Sequence, residues 1–168
     1  MKRIVSIALI GIGLLLFFAV AAWIYFNNLI THPTAIPLPD QLGGLRIADY
    51  KTGAQAATDF INLHGKQFPI ASGAIGVYGD NQITVWVAGA PFHFMAARMV
   101  EAMRERITEG NSPFTPIEQL NDGKRTIYAL EGMGQKHYYF QSKNLVIWLA
   151  ADPAIADAAI KQILEVYP

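Results

Sequence analysis

Apolar positions along this chain fall into two regimes. From Ile4 to Phe26 they are nearly continuous: twenty-three residues without a charge, preceded by Lys2-Arg3. Beyond Asp40 they alternate or recur at helical spacing between turn-forming residues. The first regime predicts a transmembrane anchor over residues 4–26. At 1.5 Å per residue such a helix reaches about 35 Å, enough to cross a hydrocarbon core of about 30 Å with some tilt. A lone spanning segment can satisfy its backbone only as a helix. Trp23 and Tyr25 stand at its C-terminal end, where amphipathic rings favour the headgroup level.

Lys2 and Arg3 precede the run, and the next Lys or Arg is Arg46. That asymmetry predicts residues 1–3 as a cytoplasmic tail, with the rest of the chain outside the membrane, periplasmic or extracellular. Ala19-Val20-Ala21 resembles a signal-peptide cleavage site, but the apolar run continues through Ala22-Trp23-Ile24-Tyr25-Phe26. Signal h-regions are usually shorter, about 7–15 residues. The expectation is an uncleaved signal-anchor in a single-pass membrane protein. A three-residue tail leaves no room for a signalling domain inside. Gly11-Ile12-Gly13 makes a small-residue notch without the G-x-x-x-G spacing of helix dimers. It reads either as ordinary transmembrane glycine or as a contact for another membrane helix.

Residues 27–40 read as a linker. Pro33, Pro37 and Pro39 fix φ and bias the residues before them to extended conformations. Leu29, Ile30, Ile36 and Leu38 are more aliphatic than a free spacer needs, so the segment is expected to lie along a neighbour. Residues 41–168 suit one domain. Leu45 to Tyr50 alternates as a strand, and Thr52 with Gln55 has capping-box spacing before a helix over 53–64, with Gly65 suited to end it. Residues 70–78 and 82–90 predict a hairpin across Gly79-Asp80-Asn81. A helix should run from Pro91 to about Glu109, with Phe92, Met95, Ala96, Met99, Ala102, Met103 and Ile107 as its apolar stripe. Strands follow over 117–130, 136–141 and 145–150. Asp152-Pro153 opens a last helix with Ile155, Ala159, Ile163, Leu164 and Tyr167 inward.

This order predicts an α+β domain: one antiparallel sheet, helices mainly on one face, a ferredoxin-like βαββαβ start and a ββα extension. Residues 77–91 and 139–153 look alike at an offset of 62. Both run from an aromatic through a polar turn to an apolar strand with a central Trp, then Pro before a helix. They predict an internal ββα repeat. Alternation puts Trp86 and Trp148 opposite the rows Ile83-Val85-Val87 and Leu145-Ile147-Leu149. If the aliphatic rows meet the helices, the Trp face is either covered by other elements or forms a partner surface, with His137 and Tyr138 nearby.

Composition narrows the chemistry. The chain has 13 basic and 13 acidic groups; with Lys2 and Arg3 set aside, 11 basic face 13 acidic. That balance gives no nucleic-acid footprint and no polybasic patch. Zero Cys excludes disulfides, thiolate chemistry and Cys-bound metals. No G-x-S-x-G, P-loop or H-E-x-x-H occurs, and Gly132-Met133-Gly134 opens no helix. His64 suits a helix C-terminus. His93 beside the Met95-Met99-Met103 stripe could bind a soft metal, though such stripes are usually core filling. His137 precedes Tyr138-Tyr139-Phe140 on a strand and reads first as a sheet-surface residue, with a catalytic or ligand role as the alternative. No catalytic residue, cofactor or metal is expected. The reading is a non-catalytic accessory subunit or interaction module whose partners are the membrane and other membrane-protein subunits or a second copy of itself. A binding module for a small ligand or envelope component is the alternative, and an enzyme of unfamiliar type comes third.

Overall fold

A computed structural model describes residues 2–65, 68–123 and 125–168. Met1, in the expected 1–3 tail, lies outside the described residues. Helix α1 (Lys2–Thr31) is unbroken. Its span Val5–Thr31 is long and apolar enough to cross a membrane, and none of its most apolar stretch is buried against the rest of the chain. The helix outruns the apolar run by five residues, because Asn27 to Thr31 contains neither Gly nor Pro. It stops before Pro33, which disfavours helical geometry in the residue ahead of it.

The expected linker is therefore partly helix, and its remainder is strapped to the domain. Strand β1 (Thr34–Ala35) pairs in parallel with the start of β4 (Ser72–Tyr78). Ile36 is buried, and Leu38 packs so closely over Gly76 that a Cβ there would lie 2.9 Å from its Cδ1. Pro37 and Pro39 have no N–H, so their carbonyls are the only backbone polar groups needing partners. Tyr167 donates its hydroxyl to Pro37 O (2.7 Å), and Tyr78 donates to Pro39 O (2.8 Å). The neighbour that the aliphatic residues lie along is the chain's own domain.

The remaining strands are β2 (Gln41–Leu42), β3 (Leu45–Thr52), β5 (Ile83–Gly89), β6 (Thr115–Asp122), β7 (Arg125–Gly132), β8 (Gln135–Ser142) and β9 (Leu145–Ala151). They form one sheet in the order β2-β3-β4-β5-β9-β8-β7-β6, antiparallel apart from the β1–β4 pair. The α+β class and the βαββαβ order of elements are present. The strand placement of a split β-α-β is not, because α2 (Gly53–His64) joins direct antiparallel neighbours β3 and β4. The second edge of β5 is then taken by apolar β9 from the end of the chain.

Helix α2 has the expected bounds but not the expected start. Thr52 makes no side-chain cap; instead Gly53 turns the chain at φ +57°, and a Cβ there would lie 3.0 Å from Pro33 O. Only glycine combines that dihedral with so close a backbone approach. Helix α2 and helix α3 (His93–Thr108) cover the face carrying Ile75, Trp86, Trp148 and Tyr139. Helix α4 (Ala156–Val166) and the strap cover the other, where Ala74, Val85, Val87, Tyr138, Ile147 and Leu149 meet Ile36, Ala159 and Ile163. Two of the three domain helices thus share a face. It is the Trp face, because the aliphatic rows are occupied by α4 and the strap.

The internal repeat is visible in the strands. Trp86 pairs directly with Trp148, and the register runs symmetrically outward, Val85 to Leu149 and Val87 to Ile147. An approximate two-fold therefore passes through the Trp pair. The helices break it, since α3 and α4 lie on opposite faces.

Candidate functional site

Cross-strand register brings aromatic side chains into one row over the Trp face. Tyr128 pairs with Tyr139, Tyr139 with Trp148, and Trp148 with Trp86. Tyr128 and Tyr139 stack at 4.7 Å between centroids, and Tyr139 and Trp148 at 5.4 Å. Such pairs add roughly 0.5–1.5 kcal/mol each beyond their buried area. Phe114, from the loop before β6, tilts against both Trp148 (5.0 Å) and His137 (4.6 Å). Met95, Met99 and Met103 pack down from α3 onto this row as core filling.

His137 is held inside the row. Trp148 donates Nε1–H to its Nδ1 (3.1 Å), and its own Nε2 donates to Gly132 O (3.0 Å). Accepting the Trp148 N–H at Nδ1 requires the neutral ring, with its proton on Nε2. Burial disfavours the charged form and pulls its pKa below the ordinary value, with the Gly132 carbonyl acting weakly in the other direction. The ring is 4% exposed, so it offers no face to a substrate.

Trp86, Trp148, Tyr138 and His137 do not make one surface. Alternation sends Tyr138 to the opposite face, where it is 5% exposed and its hydroxyl donates to Asp157 (3.3 Å). Burial, helped by the Asp157 carboxylate, pushes its pKa up to about 12. The two Trp side chains are half-buried beneath α2 and α3. Gly11 and Gly13 sit in open space on α1, with nothing within 4 Å of a Cβ at either position.

A shallow groove of about 440 Å³ runs between α3 and the adjoining ends of β7 and β8, lined among others by His93, Glu101, Arg125, Tyr128, Gln141 and Lys143. Several of its polar groups already have hydrogen-bond partners. His93 donates from Nδ1 to Lys143 O (2.8 Å), and Gln141 donates to His93 O (3.0 Å) and Lys143 O (2.8 Å). Arg125 donates to Leu164 O (3.2 Å) and Tyr167 O (2.6 Å) at the end of α4, and pairs with Asp122. Glu101 is ion-paired with Arg104, which lowers its pKa. No buried side-chain polar atom lacks a partner, and no group of three or more His, Cys, Asp or Glu is placed to hold a metal, both among the described residues. His64 binds its own helix, Nδ1 donating to Phe60 O (2.9 Å).

The contact that sequence reasoning missed joins α1 to the domain. Phe26, half-buried near the end of α1, stacks on Phe92 at 6.2 Å, and Phe92 stacks on Phe94 at 5.7 Å. Phe92 was expected within the apolar stripe of α3. It instead precedes the helix and is 41% exposed, and Phe94 is 65% exposed. The only sequence signal was two large aromatics in the segment Pro91-Phe92-His93-Phe94.

No family model and no curated protein matches the chain. Among solved structures, a GTP binding regulator from Thermotoga maritima is similar at 13% identity and a TM-score of 0.46, over 73% of this chain and 77% of that one.

Proposed function

We propose that this chain is a single-pass membrane protein carrying a non-catalytic α+β domain outside the membrane, and that it acts as an accessory subunit or interaction module of a larger membrane assembly. The observation that carries the reading is α1: it is continuous, apolar and wholly unburied by its own domain over its most apolar stretch. Such a surface needs lipid or other membrane helices around it. Lys2 and Arg3 before it, and the absence of Lys or Arg until Arg46, favour the domain outside. Within the domain, His137 is buried and bound to Trp148 and to Gly132 O, and Gln141 is bound to Lys143 O, arrangements compatible with an interaction role.

Purification of the full chain in mild detergent tests this. Stoichiometric membrane proteins, or a defined homo-oligomer, should accompany it. A monodisperse monomer carrying a small molecule would refute the subunit reading. It would favour the alternative of a ligand-binding module.

A further inference from the structure

We infer that the domain is seated on the bilayer by an aromatic tip, Phe92 and Phe94, that enters the lipid headgroup interface beside the point where α1 leaves the membrane. The inference rests on the reading that α1 spans the bilayer and adds to it a second membrane contact, made by the domain itself.

Depth is the argument. The uncharged run of α1 ends at Phe26, followed by Asn27 and Asn28, and the exposed rings of Trp23 and Tyr25 stand just before it. Those residues mark the outer boundary of the hydrocarbon. Phe26 lies five residues before the end of the helix at Thr31, a distance of about 8 Å along the axis. The domain does not begin above that helix end. It reaches back down beside it, since Phe92 is stacked on Phe26 with the rings only 14° from parallel. Phe92 is thereby held at the boundary, and Phe94 is one ring further along the same stack. Leu29 and Ile30 are also half-buried, placing them with Phe26 on one face of the last turns of α1.

The chemistry of the tip fits that position. Two phenyl rings that are 41% and 65% exposed would be unfavourable in water, yet suit the headgroup–acyl boundary, where peripheral aromatic and aliphatic side chains insert by about 5–10 Å. Basic groups lie around them. Arg98 follows Phe94 by one helical turn, and the exposed Lys143 turn is tied to His93 through its carbonyl. Cations so placed can meet lipid phosphates while the rings go below. The opposite end of the sheet has no such geometry. Met133, 81% exposed, lies at the other end of the eight-residue strand β8 from Lys143, about 25 Å away.

The absence of cysteine makes a direct test simple. Full-length Phe94→Cys, Met133→Cys and Leu15→Cys chains are each labelled with an environment-sensitive fluorophore and reconstituted into phosphatidylcholine vesicles, with or without lipids carrying a quencher at shallow or deep chain positions. Replacing Phe94 should leave the core intact, because Phe94 is 65% exposed and outside the core clusters. The Phe94→Cys label should be blue-shifted and quenched severalfold more by shallow-quencher lipids than the Met133→Cys label. The Leu15→Cys label should respond to deep quenchers. A Phe94→Cys label as wet as the Met133→Cys label, with Leu15→Cys still deep, overturns the seating and leaves the membrane span standing. A Leu15→Cys label that reports water overturns both.

Discussion

Replacing Ile36 with Ala in the full-length chain probes whether residues 32–40 are a strap or a spacer. Ile36 is 6% exposed and sits in the core cluster with Val85, Val87, Leu149 and Ile163. Cutting a buried Ile to Ala costs about 2–5 kcal/mol, depending on how well the site collapses. Ile36 lies on an irregular segment that can settle into the gap, so the lower end, about 2–3 kcal/mol, is expected. For a domain of this size 1 kcal/mol moves Tm by about 4 °C, so the variant should melt about 8–12 °C lower. Adding Tyr78→Phe and Tyr167→Phe leaves the Pro39 and Pro37 carbonyls without those donors, at about 1 kcal/mol each. The three changes share one segment, so their effects should couple rather than add. Thermal unfolding in mild detergent, read alongside protease cleavage within 32–40, gives both quantities. An unchanged Tm with unchanged cleavage would mean that the segment swings free, and the reasoning would be wrong.

Two further predictions concern positions where the backbone or a proton is constrained. Because the folded-state pKa of His137 lies below its ordinary 6.5, the unfolded chain takes up the proton first as pH falls. The associated stability is complete above about pH 6.5 and is lost below it, by at most about 1.4 kcal/mol per pH unit, until the folded pKa is reached. His137→Gln can keep both hydrogen bonds without titrating, so its Tm should fall less between pH 7 and pH 5; parallel pH slopes would count against the buried neutral ring. Gly53→Ala puts a Cβ at a left-handed position 3.0 Å from Pro33 O and should cost about 1–3 kcal/mol by chemical denaturation. A neutral or stabilising result would mean that β1 does not pass so close to α2.

Much of the element pattern was legible because turn residues and apolar spacing act locally. Helix 53–64 was bounded correctly by Thr52 and Gly65, although the start depends on the left-handed Gly53 and not on a Thr52 side-chain cap. The turn at Asn81 was placed correctly, and this residue has positive φ. Sheet faces were legible only in part. Alternation tells which side chains share a face, but not which helix will cover it, so the sequence left open whether the Trp row was covered or a partner surface; α2 and α3 cover it. His137 and Tyr138 are neighbours in sequence and were grouped for that reason, yet the pleat separates them. The stack of Phe26 on Phe92 joins residues with sixty-five others between them, and no local pattern announces such a contact.

Between the last helical residue, Thr31, and the first strand residue, Thr34, lie only His32 and Pro33, one of them with φ fixed by its ring. That joint, locked further by the Phe26–Phe92 stack, makes a vane on a shaft. If α1 spans a bilayer as proposed, turning it about its own axis would swing the sheet around the membrane normal by the same angle. On that reading, the azimuth of the helix among lipids would set the direction in which each side of the domain points. A substitution in the middle of α1, touching nothing in the domain, would then re-aim the whole domain.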